Sequence, residues 1–272
     1  MTNNERYNAE RKAQSDLIKR DIERDKVLKE LYQASYNRMQ SQINGFYMRY
    51  ADKEGLSRAE AMKRANEFDV TEYKDRARKA VVEKDFSHGT NQWLRLFNLK
   101  MKVSRLELLK AELRLEIASL ISDVNEVFDE ARESEYLAEF KRQAGILGNS
   151  AINAVSRMRA VLDADFYGQN FSRRVWGRNG LHASMQKDVF SSLARIFTDM
   201  DGFKQERQRL AKKYNTSQSN AQRLLKTEIA RINADTELMM LKENNFTHLI
   251  YVAESGACDI CKPLDKKAIP IN

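Results

Sequence analysis

VSRLELLKAELRLEIASLISDVNEVF, residues 103–128, decides the fold. Leu106, Leu109, Leu113, Ile117, Leu120, Val124, Val127 and Phe128 recur mostly at spacings of three and four. At 3.6 residues per turn they form one stripe over roughly six helical turns. Ser104 and Glu107 read as a capping box, with Val103 and Leu108 placed for a hydrophobic staple. Such a helix needs a partner helix, within the chain or in a neighbouring subunit, and an intramolecular bundle is the expectation.

Trp93, Leu94 and Phe97 begin a stripe upstream, so residues 91–142 read as one or two long helices, preceded by a turn at His88-Gly89-Thr90. A further stripe, Leu28, Leu31, Tyr32, Met39, Ile43, Phe46, Tyr47 and Tyr50, lies on a helix that Gly55 ends. Short helices are expected from Ser57 to about Phe68 and from Thr71 to about Lys84. Before Leu17 the stripe is nearly absent, which predicts a frayed start or one extended away from the body.

Downstream, Gly145, Gly148 and Asn149 mark the clearest boundary. Helical patterns follow at Ile152–Leu162, Leu181–Phe197 and Phe203–Lys213, and Asn215-Thr216-Ser217 precedes a last helix over about Gln218–Glu243. His248–Val252 is short, β-branched and aromatic, as in a strand, and Lys267–Ile271 reads as a second. The only prolines are Pro263 and Pro270, so nothing in the first 262 residues forbids a helix interior. The expected fold is mainly α, with long helices in a bundle and a small C-terminal β-hairpin element. Two regions are expected, 1–145 with the long helices and 146–272 with the basic helices and the hairpin.

Hydrophobic residues make up 42% of the 272 and charged residues 32%, which suits a helix-rich chain rather than a membrane-spanning one. The start, Met1–Arg6, lacks the apolar core of a signal peptide. The formal charge of +8 is regional. Residues 1–140 hold 26 Lys and Arg against 26 Asp and Glu, whereas residues 141–230 hold 16 against 7. An acidic partner is therefore expected for the middle of the chain. Arg157, Arg159, Arg173, Arg174, Arg178, Lys212 and Lys213 lie there, interleaved with Phe171, Trp176 and Tyr214. Cations neutralise phosphates without reading sequence, and aromatic rings stack on exposed bases. Alternatively the aromatics are core residues and the arginines make ordinary surface pairs.

Cys258 and Cys261 are the only cysteines, which argues against a disulfide framework and for a reducing compartment. A structural zinc needs four ligands, and the nearest histidine in sequence is His248. Two reduced thiols in a turn are the plainer reading, and a thioredoxin-like role lacks its βαβ setting. On the last helix Arg223, Thr227 and Arg231 share a face beside Glu228. They fit either a network anchoring the helix to the hairpin or an inter-helix salt-bridge face, and no nucleophile accompanies them.

Several of these segments together resemble the phage minor head proteins, the Mu F-like head-morphogenesis family. Arg223–Glu228 resembles its R/K-T-E helix, and Leu249–Val252 its short strand. Cys258-Asp259-Ile260-Cys261-Lys262-Pro263-Leu264-Asp265 resembles its C-x-x-C followed by L-D-G-K, with Lys266 standing where glycine is usual. Asn170–Trp176 resembles its S-x-R-[IV]-W segment, and Ser104–Leu113 a helix of members from phages of Gram-positive hosts. The family typically continues to a P-x-H-P-x-C-R-C-like segment, so the resemblance implies zinc at Cys258 and Cys261 only with a longer C-terminus. No other cofactor is implied.

The resemblance implies a non-enzymatic virion protein inside the phage head, passing through the host cytoplasm during assembly. It would meet the portal protein or major capsid protein, aid head assembly, and contact packaged double-stranded DNA without sequence preference, with possible delivery alongside it. Arg157, Arg159, Arg173, Arg174, Trp176, Arg178, Lys212 and Lys213 are the candidate DNA-binding residues. The N-terminal helices would dock the portal, the capsid or copies of the chain. A zinc- or thiol-dependent enzyme or toxin centred on the cysteines, and a transient assembly chaperone, are the alternatives.

Overall fold

The computed structural model describes residues 2–50, 79, 88–148, 153–198, 203–253 and 256–271. Its helices are α1 (Asn3–Tyr50), α2 (His88–Leu147), α3 (Ala154–Leu162), α4 (Phe171–Trp176), α5 (Leu181–Thr198) and α6 (Phe203–Glu243). Strands β1 (His248–Ile250) and β2 (Ala268–Pro270) complete the order. The fold is mainly α with a small antiparallel hairpin, as the stripes and the late prolines predict. The helices expected at 57–68 and 71–84 fall outside the described residues, Lys79 apart.

Two turns expected from the sequence, at residues 88–90 and 215–217, are absent, and of the one or two helices expected over 91–142 there is one. α2 is 60 residues long and unbroken, so His88-Gly89-Thr90 is its first turn, and Ser104 and Glu107 lie inside it rather than at its start. α6 runs 41 residues straight through Asn215-Thr216-Ser217. Its buried stripe of Leu210, Tyr214, Ser217, Ala221 and Leu225 keeps helical spacing across that point, so burial overrides the local capping preference.

Two compact units interleave along the chain. The first comprises Met1–Tyr32, Ser122–Met185 and Asn215–Asn272, the second Gln33–Ile121 and Gln186–Tyr214. The expected boundary at 145/146 lies in the last turn of α2, which ends at Leu147. Gly148, at φ +72, follows α2 and donates to Gly145, a left-handed exit that glycine makes at little cost.

In the second unit Met39, Ile43, Leu113, Ile117, Leu120, Val189, Leu210 and Tyr214 are buried. The Tyr214 hydroxyl lies 3.4 Å from Ser35, and burial pushes it up to about 12. Arg38 grips Glu116 at 2.9–3.0 Å.

In the first unit one cluster joins Tyr136, Phe140 and Ala144 of α2 to Val161 and Leu162 of α3 and Ile232 and Met240 of α6. Burying a side chain of this size stabilises by roughly 1.5–3 kcal/mol. Ion pairs reinforce the helix seams: Glu135, nearly buried, accepts from Arg20 and Arg24 of α1, and Lys226 meets Asp25. The dense charges of the N-terminal helix thus serve helix–helix contacts.

The hairpin pairs His248 with Pro270, Leu249 with Ile269 and Ile250 with Ala268, and the cysteine pair lies in its connection, as expected. The first turns of α1 are not frayed or extended away; they hold this element. The Tyr7 hydroxyl donates to Asp265 at 3.0 Å, Arg11 to the Ala253 carbonyl at 2.6 Å and Gln14 to the Val252 carbonyl at 3.3 Å. Docking is polar, which is why no apolar stripe announces it.

Candidate nucleic-acid interface

The segment from Phe166 to His182 carries the strongest candidate surface, and a buried charge cluster fixes it. Glu228 of α6 has no exposed surface and is met by three arginines. Arg231 donates at 2.8 and 3.2 Å, Arg132 of α2 approaches to 3.4 Å, and Arg174 of α4 makes a short bond. Arg231 also donates to the Val161 carbonyl at 3.0 Å and Asp235 at 2.6 Å, while Arg132 reaches the Leu162 carbonyl. The guanidinium of Arg132 lies 4.3 Å from the centre of the Phe171 ring, which meets Phe128 edge-on at 5.5 Å. Three helices, α2, α4 and α6, thus converge on one carboxylate, and α3 carbonyls accept from two of its arginines. The polar face of the last helix anchors α2, α3 and α4 rather than the hairpin, and Arg223 and Thr227 of the same motif are exposed.

On this support α4 presents its outer residues. Asn170 caps the helix by accepting from the Arg173 N–H at 2.9 Å. Phe171 and Val175 face inward, Arg173 faces solvent, and Trp176 is 50% exposed. Gly177 then turns the chain so tightly that a Cβ would lie 2.3 Å from the Arg173 carbonyl oxygen. Arg178 is exposed in this turn, and α5 follows with the buried His182 in its first turn. The His182 and Trp176 rings are 4.5 Å apart. Burial holds the imidazole down at about 4, so it packs there neutral, and neither ring nitrogen has a hydrogen-bond partner.

The expected DNA-binding residues differ in their surroundings. Arg174 is a structural ion-pair partner, half-buried, because Glu228 draws it inward. Arg157 pairs with Glu243 and Lys213 with Asp188 at 3.0 Å. Lys212 and Lys213 belong to the second unit and the other candidates to the first. Phe171 and Tyr214 are core residues at 3% and 2% exposure, which excludes them as stacking surfaces. Arg159, Arg173 and Arg178 are exposed and have no ion pair among the described residues. Arg173, Trp176 and Arg178 are the candidates brought close together, by α4 and its turn.

Two features had no clear signal in the sequence. His182 stands in no motif, and its place beside Trp176 follows from the glycine turn. Tyr167 and Gly168 both have positive φ, at 53° and 78°, and close a turn between Phe166 and Gln169. Tyrosine at the first of those positions is unusual, and its side chain is 92% exposed.

Cys258 is exposed and Cys261 half-buried, both as free thiols. Backbone N–H groups of Cys261 and Ile260 hold the Cys258 thiol below its ordinary value. No group of three or more His, Cys, Asp or Glu suited to a metal occurs among the described residues. Asp265 is engaged by the Ala253 N–H and Tyr7, and His248 Nδ1 lies 3.0 Å from the Thr247 hydroxyl. Two thiols alone fall short of the four ligands of a structural zinc.

No family model, no curated protein and no solved structure matches this chain. Among the described residues no helix is long and apolar enough to cross a membrane.

Proposed function

We propose that this chain is a phage minor head protein, a non-enzymatic virion component that helps assemble the head and contacts packaged DNA without reading its sequence. The observation that carries the proposal is the Arg174–Glu228 ion pair. Arg174 is the arginine of the segment resembling S-x-R-[IV]-W, and Glu228 the glutamate of the one resembling R/K-T-E. Two stretches far apart in sequence, each picked out by the same resemblance, meet side chain to side chain inside one compact unit.

The third stretch adds support. Lys266, standing where the family usually has glycine, has φ +65, a left-handed conformation that favours glycine. The exposed Arg159, Arg173 and Arg178 suit phosphate contacts. Portal or capsid protein is the proposed protein partner, with self-association a further role for the long helices. The proposed setting is the assembled head.

Mass spectrometry of DNA-filled heads, assembled in a host carrying the phage genome that encodes this chain, tests the reading. Detection in a few copies per head is the expected result. Presence in empty precursors but loss from filled heads would instead indicate the transient chaperone, and absence from both would overturn the proposal.

A further inference from the structure

Resting on the nucleic-acid part of that reading, we infer that Trp176 is a stacking platform for an unstacked nucleobase, so that this unit prefers single-stranded DNA or a frayed DNA end to an intact duplex. Half of the Trp176 surface is open to solvent although the residue sits at the end of a well-anchored helix. Its other side rests on a buried, neutral imidazole whose ring nitrogens have no protein partner, leaving a polar edge unspent beside the indole. The mount is rigid. Gly177 donates to the Arg173 carbonyl at 2.8 Å and Gly180 to the Gly177 carbonyl at 2.7 Å, while Arg174 ties the same helix to Glu228.

The charge around the ring selects the partner. Arg173, three residues before Trp176, and Arg178, two residues after it, are exposed and have no ion pair among the described residues. An apolar protein partner would have to strip water from both guanidinium groups without replacing their contacts. A nucleic acid strand gives each a phosphate and gives the indole a base face, and every base has one, so the contact is sequence-tolerant. An intact duplex keeps its base faces stacked away from an indole lying on the surface.

The chain has two tryptophans, so a full-length Trp93→Phe background leaves Trp176 as the only indole. Its fluorescence is titrated with oligothymidylate and with a blunt duplex of equal length, while affinities are measured by anisotropy of labelled DNA. Saturable quenching by the single strand is expected, with at least several-fold tighter binding than to the duplex. In the Trp93-containing chain, Trp176→Ala is expected to lose about tenfold in single-strand affinity and with it most of the preference over the duplex. Should Trp176→Ala fold poorly, Trp176→Phe retaining the preference and Trp176→Leu losing it gives the same answer. Equal binding to both DNA forms, without quenching and insensitive to these substitutions, would overturn the platform while leaving DNA binding intact. No binding to either form would overturn the nucleic-acid reading itself.

Discussion

Arg174 and Glu228, 54 positions apart, join as an ion pair in which the glutamate has no exposed surface and the arginine keeps about a seventh of its own. The adjacent Arg173 is exposed. Neighbouring arginines in one basic run therefore have opposite roles, one building the unit and the other available to a partner.

Glu228 is the position where a small change should do most damage. Glu228→Ala would leave three guanidinium groups around a buried space without their shared acceptor. Breaking a buried pair from one side costs about 3–5 kcal/mol, so a drop of that size in a urea denaturation series is expected. Replacing Glu228 and Arg174 together by Leu and Met should recover part of the loss, since Arg174 would no longer be stranded.

Lys266 separates backbone strain from side-chain contact. Its ammonium lies 4.7 Å from the centre of the Tyr7 ring, while its backbone is left-handed. Both Lys266→Ala and Lys266→Gly remove the cation–π contact, but only glycine relieves the backbone. The glycine variant should exceed the alanine variant by about 1 kcal/mol in thermal unfolding.

Glu237 makes stability depend on pH. It lies half-buried in a cleft of about 550 Å³ with Glu10 and Glu139, and burial, then those two carboxylates, push its carboxyl up to about 7 from 4.5, against the opposing pull of Arg142. A raised acid binds its proton more tightly in the folded state. Its contribution is thus complete below about pH 4.5 and is lost as pH rises through about 7. Glu237→Gln should flatten the decline in melting temperature between pH 5 and 8, a range chosen to span the shift, and should be the more stable protein at the upper end.

The start of α1 should be protected through its hold on the hairpin. Tyr7→Phe removes the hydroxyl that donates to Asp265, which also accepts from the Ala253 N–H at 2.9 Å. Hydrogen exchange should accelerate at Ala253 and along the first turns of α1 while the Tyr136–Ile232 cluster stays unchanged.

The apolar stripes made most of the helices legible, because burial follows the helical period: Leu113, Ile117, Leu120, Val124 and Phe128 are all buried. Continuity was less legible. Asn215-Thr216-Ser217 has the composition of a cap, yet Ser217 occupies a core position and the helix continues. Polar docking at Tyr7, Arg11 and Gln14 has no periodic signature at all. At the candidate site, composition marked the basic region, but Phe171, Tyr214 and Trp176 look alike in sequence and only one is open. The regional charge balance also missed acids lying outside residues 141–230, since Arg157 finds Glu243 and Lys226 finds Asp25.

The central claim, that exposed arginines of this unit hold DNA through its phosphates, is tested most directly by the salt dependence of binding. DNA affinity of the intact chain should fall steeply with salt, linearly in log–log form, and Arg173→Ala with Arg178→Ala should lower the slope by about 2. A salt-independent affinity, or a slope unchanged in the double variant, would contradict the account.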